Sequence, residues 1–360
     1  MNKSNLEIDI NVIGVMSGTS LDGLDICYAN FIQKDSKWFY KIIETQCINY
    51  PQPLKMQIAN AHLMDANSFV QLNTDFGIFI GKSVKTFLDT YSAKPEIIAS
   101  HGHSIFHQPE KKLTYQIGNG ANIAAETGIS TVCDFRSLDV ALNGQGAPLV
   151  PIGDKLLFSD YDSCLNLGGF SNISFNKNGK RIAYDICPVN FVLNYYMMKI
   201  GKDFDEDGMT ARSGNIDIKL LDSLNELNFY KSHGPKSLAR EDVEKEFLPL
   251  IDSFNLNVED KLATYCEHIA IQISKNIPEG KIIITGGGAF NKFLIERIKN
   301  NAPNCTIYIP DDQTINYKEA LIFAFLGVLY LYDLPNCLSS VTGAISDSIG
   351  GALYKSLKLI

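Results

Sequence analysis

Apolar runs broken by short polar turns dominate the first fifty residues. Val12-Ile-Gly-Val-Met16 leads into Ser17-Gly-Thr-Ser-Leu-Asp-Gly23 and out through Leu24-Asp-Ile-Cys-Tyr-Ala-Asn-Phe31, which predicts a β-hairpin with a polar tip. Trp38 to Tyr50 alternates well enough for a third antiparallel strand, ended by Pro51 and Pro53. From Ser68 to Tyr91 the period becomes 3.6, with Leu72, Phe76, Ile80, Val84, Phe87 and Leu88 on one face. A long amphipathic helix covering the sheet is expected there. Glu96 to Ser100 then reads as a short buried strand. Thr114 to Gly128 reads as a strand, a Gly-x-Gly turn and a short helix, and Ile129 to Arg136 as a further strand.

The second half follows the same logic. Ser163 to Phe175 is strand, glycine turn and strand, and Arg181 to Ile186 supplies the next strand. Val258 to Ile277 places Val258, Leu262, Cys266, Ile269 and Ile273 on one helical face. Lys281 to Thr285 is a fully apolar strand followed by three glycines and a helix, Cys305 to Pro310 is another strand, and Asn316 to Phe325 opens a buried helix headed by Glu319. Gly350 to Ile360 reads as a last helix returning to the first domain. Identity between the halves is too low to establish a repeat from residues alone. A chain of 360 residues exceeds what one core usually serves, so an α/β protein of two domains, 1–130 and 131–349, is expected, with Ile129 to Pro151 as the hinge and a cleft for small ligands.

Composition narrows the classes. The chain is 45% hydrophobic and 20% charged, with a net charge of -8 and a pI near 5.3. That balance argues against nucleic-acid or anionic-membrane partners, which call for a concentrated basic face. It permits an anionic nucleotide held by a metal ion and backbone N–H groups. Eight scattered cysteines without a C-x-x-C pair read as reduced core residues. Met1 to Asn11 lacks the apolar core of a signal peptide, and the longest apolar stretch, Ala320 to Tyr332, is too short for a bilayer span. The cytoplasm is the expected compartment.

Several stretches carry candidate chemistry. Gly18, Thr19, Ser20, Asp22 and Gly23 could cradle a phosphate and face its metal ion, or form an ordinary turn. His101, His103 and His107 fall within seven residues after a strand, but no nearby carboxylate or cysteine completes a metal-ligand set. Gly118-Asn-Gly120 lacks the third glycine and acidic partner of a dinucleotide fingerprint. Asp134 and Arg136 could pair with each other or contact substrate. Lys202 to Gly214 lacks the distal glutamate of a calcium loop. Asp185 is either a helix-start carboxylate or a general base, and Glu319 either a helix-dipole match or a second functional carboxylate. Gly286, Gly287 and Gly288 favour nucleotide contact, since glycine alone lets a flat base or ribose lie against the backbone.

The segment S-G-T-S-x-D-G-x-D at residues 17–25 resembles the signature of the 1,6-anhydro-N-acetylmuramic acid kinases. Further segments match in order: S-H-G-x-x-x-x-H-x-P at 100–109, with His103 where glutamine is usual, Q-I-G-x-x-x-x-I-A at 116–124, D-F-R at 134–136, G-Q-G-A-P-L-V-P at 144–151, D-x-D-G-x-x-A-x-x-G at 205–214 and K-E-A-x-x-F-A at 318–324. The family's D-T-G-P-G-N stands here as Asp185-Ile-Cys-Pro-Val-Asn190. The resemblance implies a two-domain actin/hexokinase-like, ribonuclease H-like fold and a cytoplasmic, homodimeric enzyme of cell-wall recycling. It implies that ATP and Mg²⁺ are used to open and phosphorylate the anhydro sugar. Asp185 would be the base and Glu319 the second active-site carboxylate. ATP would be held by Gly18, Thr19, Ser20, Leu21, Asp22, Gly23, Leu24, Asp25, Gly168, Gly169, Gly286, Gly287, Gly288 and Asn291, with Asp22 holding the metal through its waters. The sugar would be met by His101, Gln116, Asp134, Arg136, Gln145 and Asn190. A kinase of the same fold for another sugar, and a non-enzymatic nucleotide switch, remain as alternatives.

Overall fold

The computed structural model describes residues 7–231, 236 and 238–356, and the chain divides into two units, residues 1–157 with 317–360, and residues 158–316. The boundary expected after residue 130 falls inside the first unit. The physical reason is that strand Thr131–Cys133 is hydrogen-bonded into that unit's sheet, parallel to Ile97–Ser100.

In the first unit β1 (Ile8–Ser17), β2 (Leu24–Lys34) and β3 (Lys37–Ile48) form an antiparallel meander. β4 (Ile97–Ser100) then pairs parallel to β1. β5 (His103–Gln108) and β6 (Leu113–Ile117) make a separate two-stranded ribbon, and β7 (Thr131–Cys133) extends the main sheet beyond β4. One face of that sheet is covered by helix Ala66–Tyr91, whose predicted stripe Leu72, Phe76, Ile80, Val84 and Phe87 is buried in a core with Ile13, Val15 and Ile26. Asp65 caps this helix through the N–H groups of Asn67 and Ser68.

The second unit repeats the plan. β8 (Ser163–Leu167), β9 (Phe170–Lys177) and β10 (Lys180–Pro188) form the meander, and β11 (Gly280–Thr285) and β12 (Cys305–Tyr308) follow in parallel. Its order β10-β9-β8-β11-β12 matches β3-β2-β1-β4-β7 in the first unit. The duplication that residue identity could not establish is therefore explicit in strand order and direction. Helix Val258–Asn276 buries Leu262, Cys266, Ile269 and Ile273 against this sheet's core, as its periodicity predicts.

Three other expectations are revised. Helix Asp312–Leu331 starts well before Asn316, because Asp311 accepts the Thr314 N–H at 2.9 Å and caps it there. By length and composition this helix could cross a membrane, yet its window is 72% buried within the protein. Phe325 packs on Phe31 and Trp38, with ring centroids 5.4 and 4.9 Å away, and Gly14 runs so close to the Ala320 carbonyl that no side chain would fit. The expected terminal helix is instead β13 (Ala352–Tyr354), antiparallel to β7, because its backbone completes the open edge of the sheet. Residues 1–6 and 357–360 of the terminal segments lie outside the described residues. Finally, all eight cysteines are free, but Cys47 is exposed rather than in the core.

Candidate active site

In the first unit β1 and β2 run out into the turn Gly18–Gly23, closed by the Leu21 N–H on the Gly18 carbonyl at 3.2 Å. Leu21 takes a left-handed backbone, φ 55°. Thr19, Ser20 and Asp22 are exposed, whereas Gly23 is buried and Leu24 is wholly inside the core. Of the residues expected to meet nucleotide here, Leu24 therefore has only its backbone to offer. The turn is anchored from below. Ser17 Oγ lies 2.7 Å from His103 Nδ1, and the Tyr50 hydroxyl lies 2.7 Å from Ser17 Oγ and 2.8 Å from the Gly23 carbonyl. Ser17 opens the S-G-T-S-x-D-G-x-D segment without being among the expected site residues, and nothing in the local pattern of Tyr50 distinguishes it from an ordinary residue after a strand.

Charge accumulates beside this turn. Burial pushes the Asp25 carboxyl up to about 6; the Cys47 thiol, donating to it, opposes this, and Asp22 and Glu319 add to it. Glu319 touches solvent but is crowded by protein, which raises its carboxyl pKa against the pull of Arg136 and Lys318, while Asp22 adds to the rise. Lys318 is itself committed to a buried ion pair with Asp154 at 2.8 Å. Glu319 stands seven residues into its helix, so a dipole match at the helix start does not account for it.

Arg136 does not rely on Asp134. Its Nε donates to His101 Nε2 at 2.9 Å and its Nη1 to the Gly146 carbonyl at 2.6 Å, while Asp134, at φ 57°, accepts the Ser137 hydroxyl at 2.5 Å. His101 Nδ1 must donate to the Gly102 carbonyl, 2.9 Å away, leaving Nε2 free to accept. Burial and the Arg136 charge hold this imidazole neutral, well below the usual histidine range. His107 meets Thr114 Oγ1 at 3.1 Å, and Gln116 donates to the same hydroxyl at 2.8 Å. The three imidazoles thus have separate partners. Gln145 is exposed, its N–H on the Thr342 carbonyl at 2.8 Å.

The loop at 143–151, the later part of the expected hinge, is internal to the first unit. Asp139, 1% exposed, accepts from the Gly146 N–H, the Thr342 hydroxyl and the Cys337 thiol at 2.7, 2.7 and 3.0 Å. Gly144 is needed because a side chain there would overlap the Asp139 carboxylate. Asp139 organises the loop carrying Gln145, and its place three residues after Arg136 gave no sign of it.

In the second unit the Gly168–Gly169 turn joins β8 to β9, and its carbonyls accept the N–H groups of Val189, Asn190 and Phe191 at 2.8, 3.2 and 3.3 Å. This docks the start of helix Asn190–Met198 on the turn. Asn190 also donates from Nδ2 to the Leu167 carbonyl at 3.1 Å. Gly286, at φ +81°, passes so close to Leu167 that a Cβ would lie 2.8 Å from its carbonyl, and one on Gly288 would lie 2.7 Å from the Leu167 side chain. Gly286 and Gly288 therefore let the β11 turn close on the β8 turn. Asn291 is buried and its Oδ1 accepts the Leu294 N–H at 2.9 Å, so its side chain is a helix cap.

Asp185 lies within β10, not at a helix start. A register irregularity follows it, and Ile186, Cys187 and Val189 are fully buried in the core while Asp185 stays half-buried. Its Oδ2 accepts the Leu238 N–H at 2.9 Å, and its own N–H donates to the Lys236 carbonyl. Burial raises its pKa, and the Leu238 bond only partly offsets that.

Two units that share a five-strand order, each with a glycine turn between its first two strands, define the actin/hexokinase-like class. The sequence profile of the anhydro-N-acetylmuramic acid kinases matches residues 10–356. Curated relatives of that name from Shewanella denitrificans and Vibrio cholerae are each 33% identical, over 96% and 95% of this chain and 98% and 97% of their own, and one from Pseudomonas syringae is 32% identical over 96% of this chain and 100% of its own. The chain belongs to the anhydro-N-acetylmuramic acid kinase family, and it is a kinase. Among solved structures, component A of (R)-2-hydroxyglutaryl-CoA dehydratase from Acidaminococcus fermentans aligns over 88% of this chain and 96% of its own at 12% identity and a TM-score of 0.45.

Proposed function

We propose that this kinase adds water across the 1,6-anhydro bond of 1,6-anhydro-N-acetylmuramic acid and places the γ-phosphoryl group of ATP on the released 6-oxygen. Asp185 takes a proton from water as its oxygen bonds to the anomeric carbon. The electron pair of the breaking bond stays on the 6-oxygen, which attacks the γ-phosphorus and releases ADP. The product is N-acetylmuramic acid 6-phosphate, formed in the cytoplasm during cell-wall recycling by a homodimeric enzyme.

The observation that carries this reading is the setting of Asp185. Burial raises its pKa, which makes it a stronger base, and the Leu238 N–H fixes one oxygen. The departures from the family's D-T-G-P-G-N are all fully buried residues, which favours the family's own sugar over another. Arg136, Gln116 and Gln145 supply donors for the sugar's lactyl carboxylate and hydroxyls. The Gly18–Gly23 and Gly168–Gly169 turns supply the phosphate contacts, with Gly286 to Gly288 at the adenosine.

Magnesium fits the first turn. Asp22 and Glu319 both raise the Asp25 carboxyl, a repulsion that a cation relieves. Among the described residues no three His, Cys, Asp or Glu side chains converge as a direct ligand set, so Asp22 would hold the ion through water. When bound, it supplies neutralisation of charge developing on the phosphoryl oxygens.

The test is ADP release with Mg²⁺-ATP, with and without 1,6-anhydro-N-acetylmuramic acid. Sugar-dependent release giving a ring-opened 6-phosphate, and falling at least about 100-fold in Asp185→Asn, is expected. Sugar-independent release, or an active Asp185→Asn, would overturn the substrate or the base.

A further inference from the structure

We infer that His103 is a positioning residue for the nucleotide, although it lies on the ribbon that carries the sugar-side Gln116. The imidazole is 4% exposed and is held edge-on against Phe76, ring centroids 6.4 Å apart. Through Ser17 and Tyr50 it reaches both ends of the Gly18–Gly23 turn: Ser17 directly precedes Gly18, and the Tyr50 hydroxyl meets the carbonyl of Gly23. A tyrosine has one proton to give. One arrangement satisfies every group: His103 Nδ1–H donates to Ser17, Ser17 to the Tyr50 oxygen, and Tyr50 to Gly23.

The ribbon does not depend on this chain of bonds. His103 pairs with Ile117 through the backbone, and Phe69 packs on both Phe106 and Tyr115 with centroids 5.4 Å apart. Removing the imidazole therefore leaves Gln116 in place and loosens the turn that presents Thr19, Ser20 and Asp22. The consequence rests on the reading of this turn as the phosphate cradle.

The experiment is steady-state kinetics with ATP and 1,6-anhydro-N-acetylmuramic acid varied separately, on wild type, His103→Ala, His103→Asn, Tyr50→Phe and Asp22→Asn. His103→Ala is expected to raise KM for ATP about fivefold to twentyfold, the scale of one buried hydrogen bond, with KM for the sugar within about twofold. His103→Asn, whose amide occupies the place of Nδ1, is expected to restore KM for ATP to within about twofold of wild type. If His103→Ala fails to fold, Tyr50→Phe carries the same expectation, since it keeps the ring against Phe76 and Phe79 and loses only the hydroxyl. An unchanged KM for ATP, a parallel rise in both KM values, or an Asn variant as impaired as Ala would overturn the inference. Should Asp22→Asn also leave ATP binding unchanged, the phosphate reading of the turn fails. If Asp22→Asn weakens ATP and His103→Ala does not, only the positioning role fails.

Discussion

Asp25 is a carboxyl whose ionisation costs stability. Its folded pKa, pushed up to about 6 by burial with Asp22 and Glu319 adding, lies above its ordinary value of 3.8. The native state therefore holds this proton more tightly than the unfolded chain. The penalty is absent below about pH 4, grows as pH rises toward 6 and is complete above it. Asp25→Asn is expected to raise the melting temperature at pH 8 and to lose that advantage progressively as pH falls through 6 toward 4, read by thermal denaturation without nucleotide. A gain that is constant with pH would show that Asp25 does not titrate in this window. At this scale the sequence was partly legible. Asp22, Asp25 and Glu319 stand out by residue type and motif, but Asp139 and Tyr50 do not. Their importance comes from hydrogen bonds to residues far along the chain, Thr342 and Cys337 for Asp139 and Gly23 for Tyr50.

Among the elements, the turn after β11 separates backbone from side-chain roles. Gly286 and Gly288 are required by the close approach of Leu167, while the Asn291 side chain starts helix Lys292–Asn301. Asn291→Ala is expected to lower stability by about 1 kcal/mol, and Asn291→Asp, which keeps the accepting oxygen, to stay near wild type in chemical denaturation. Equal losses in both would mean that the amide nitrogen matters instead. Strands and long helices were read well from hydrophobic period, because a buried face leaves its spacing in the residues. Helix Ala66–Tyr91 is the clearest case. The terminal segment misled because Ala352–Tyr354 is set by an open sheet edge, a tertiary demand that its short sequence does not encode.

For the whole molecule, the decisive fact is that the second unit is continuous and the first is not. Strand order reveals a duplicated architecture that residue comparison could not, since the two sheets share topology while their side chains have diverged. The fragment Phe158–Asn316, with its own core around Tyr196, Tyr265 and Phe247, is expected to unfold cooperatively alone. Residues 1–157 without the rest are not, because Phe323 and Phe325 then no longer pack on Phe135, Phe31 and Trp38. Circular-dichroism melts of the two fragments decide this; a cooperative transition in 1–157 would show that the returning segment is dispensable.

The late return of the chain also bears on synthesis. The first unit lacks its covering helix until about 160 residues after Leu157 have been made, an interval of roughly 10–30 s on the ribosome. Until Phe325 arrives, Phe31 and Trp38 lack the ring that covers them in the folded protein, so the half-made sheet is expected to be most open to misassociation at that stage of translation.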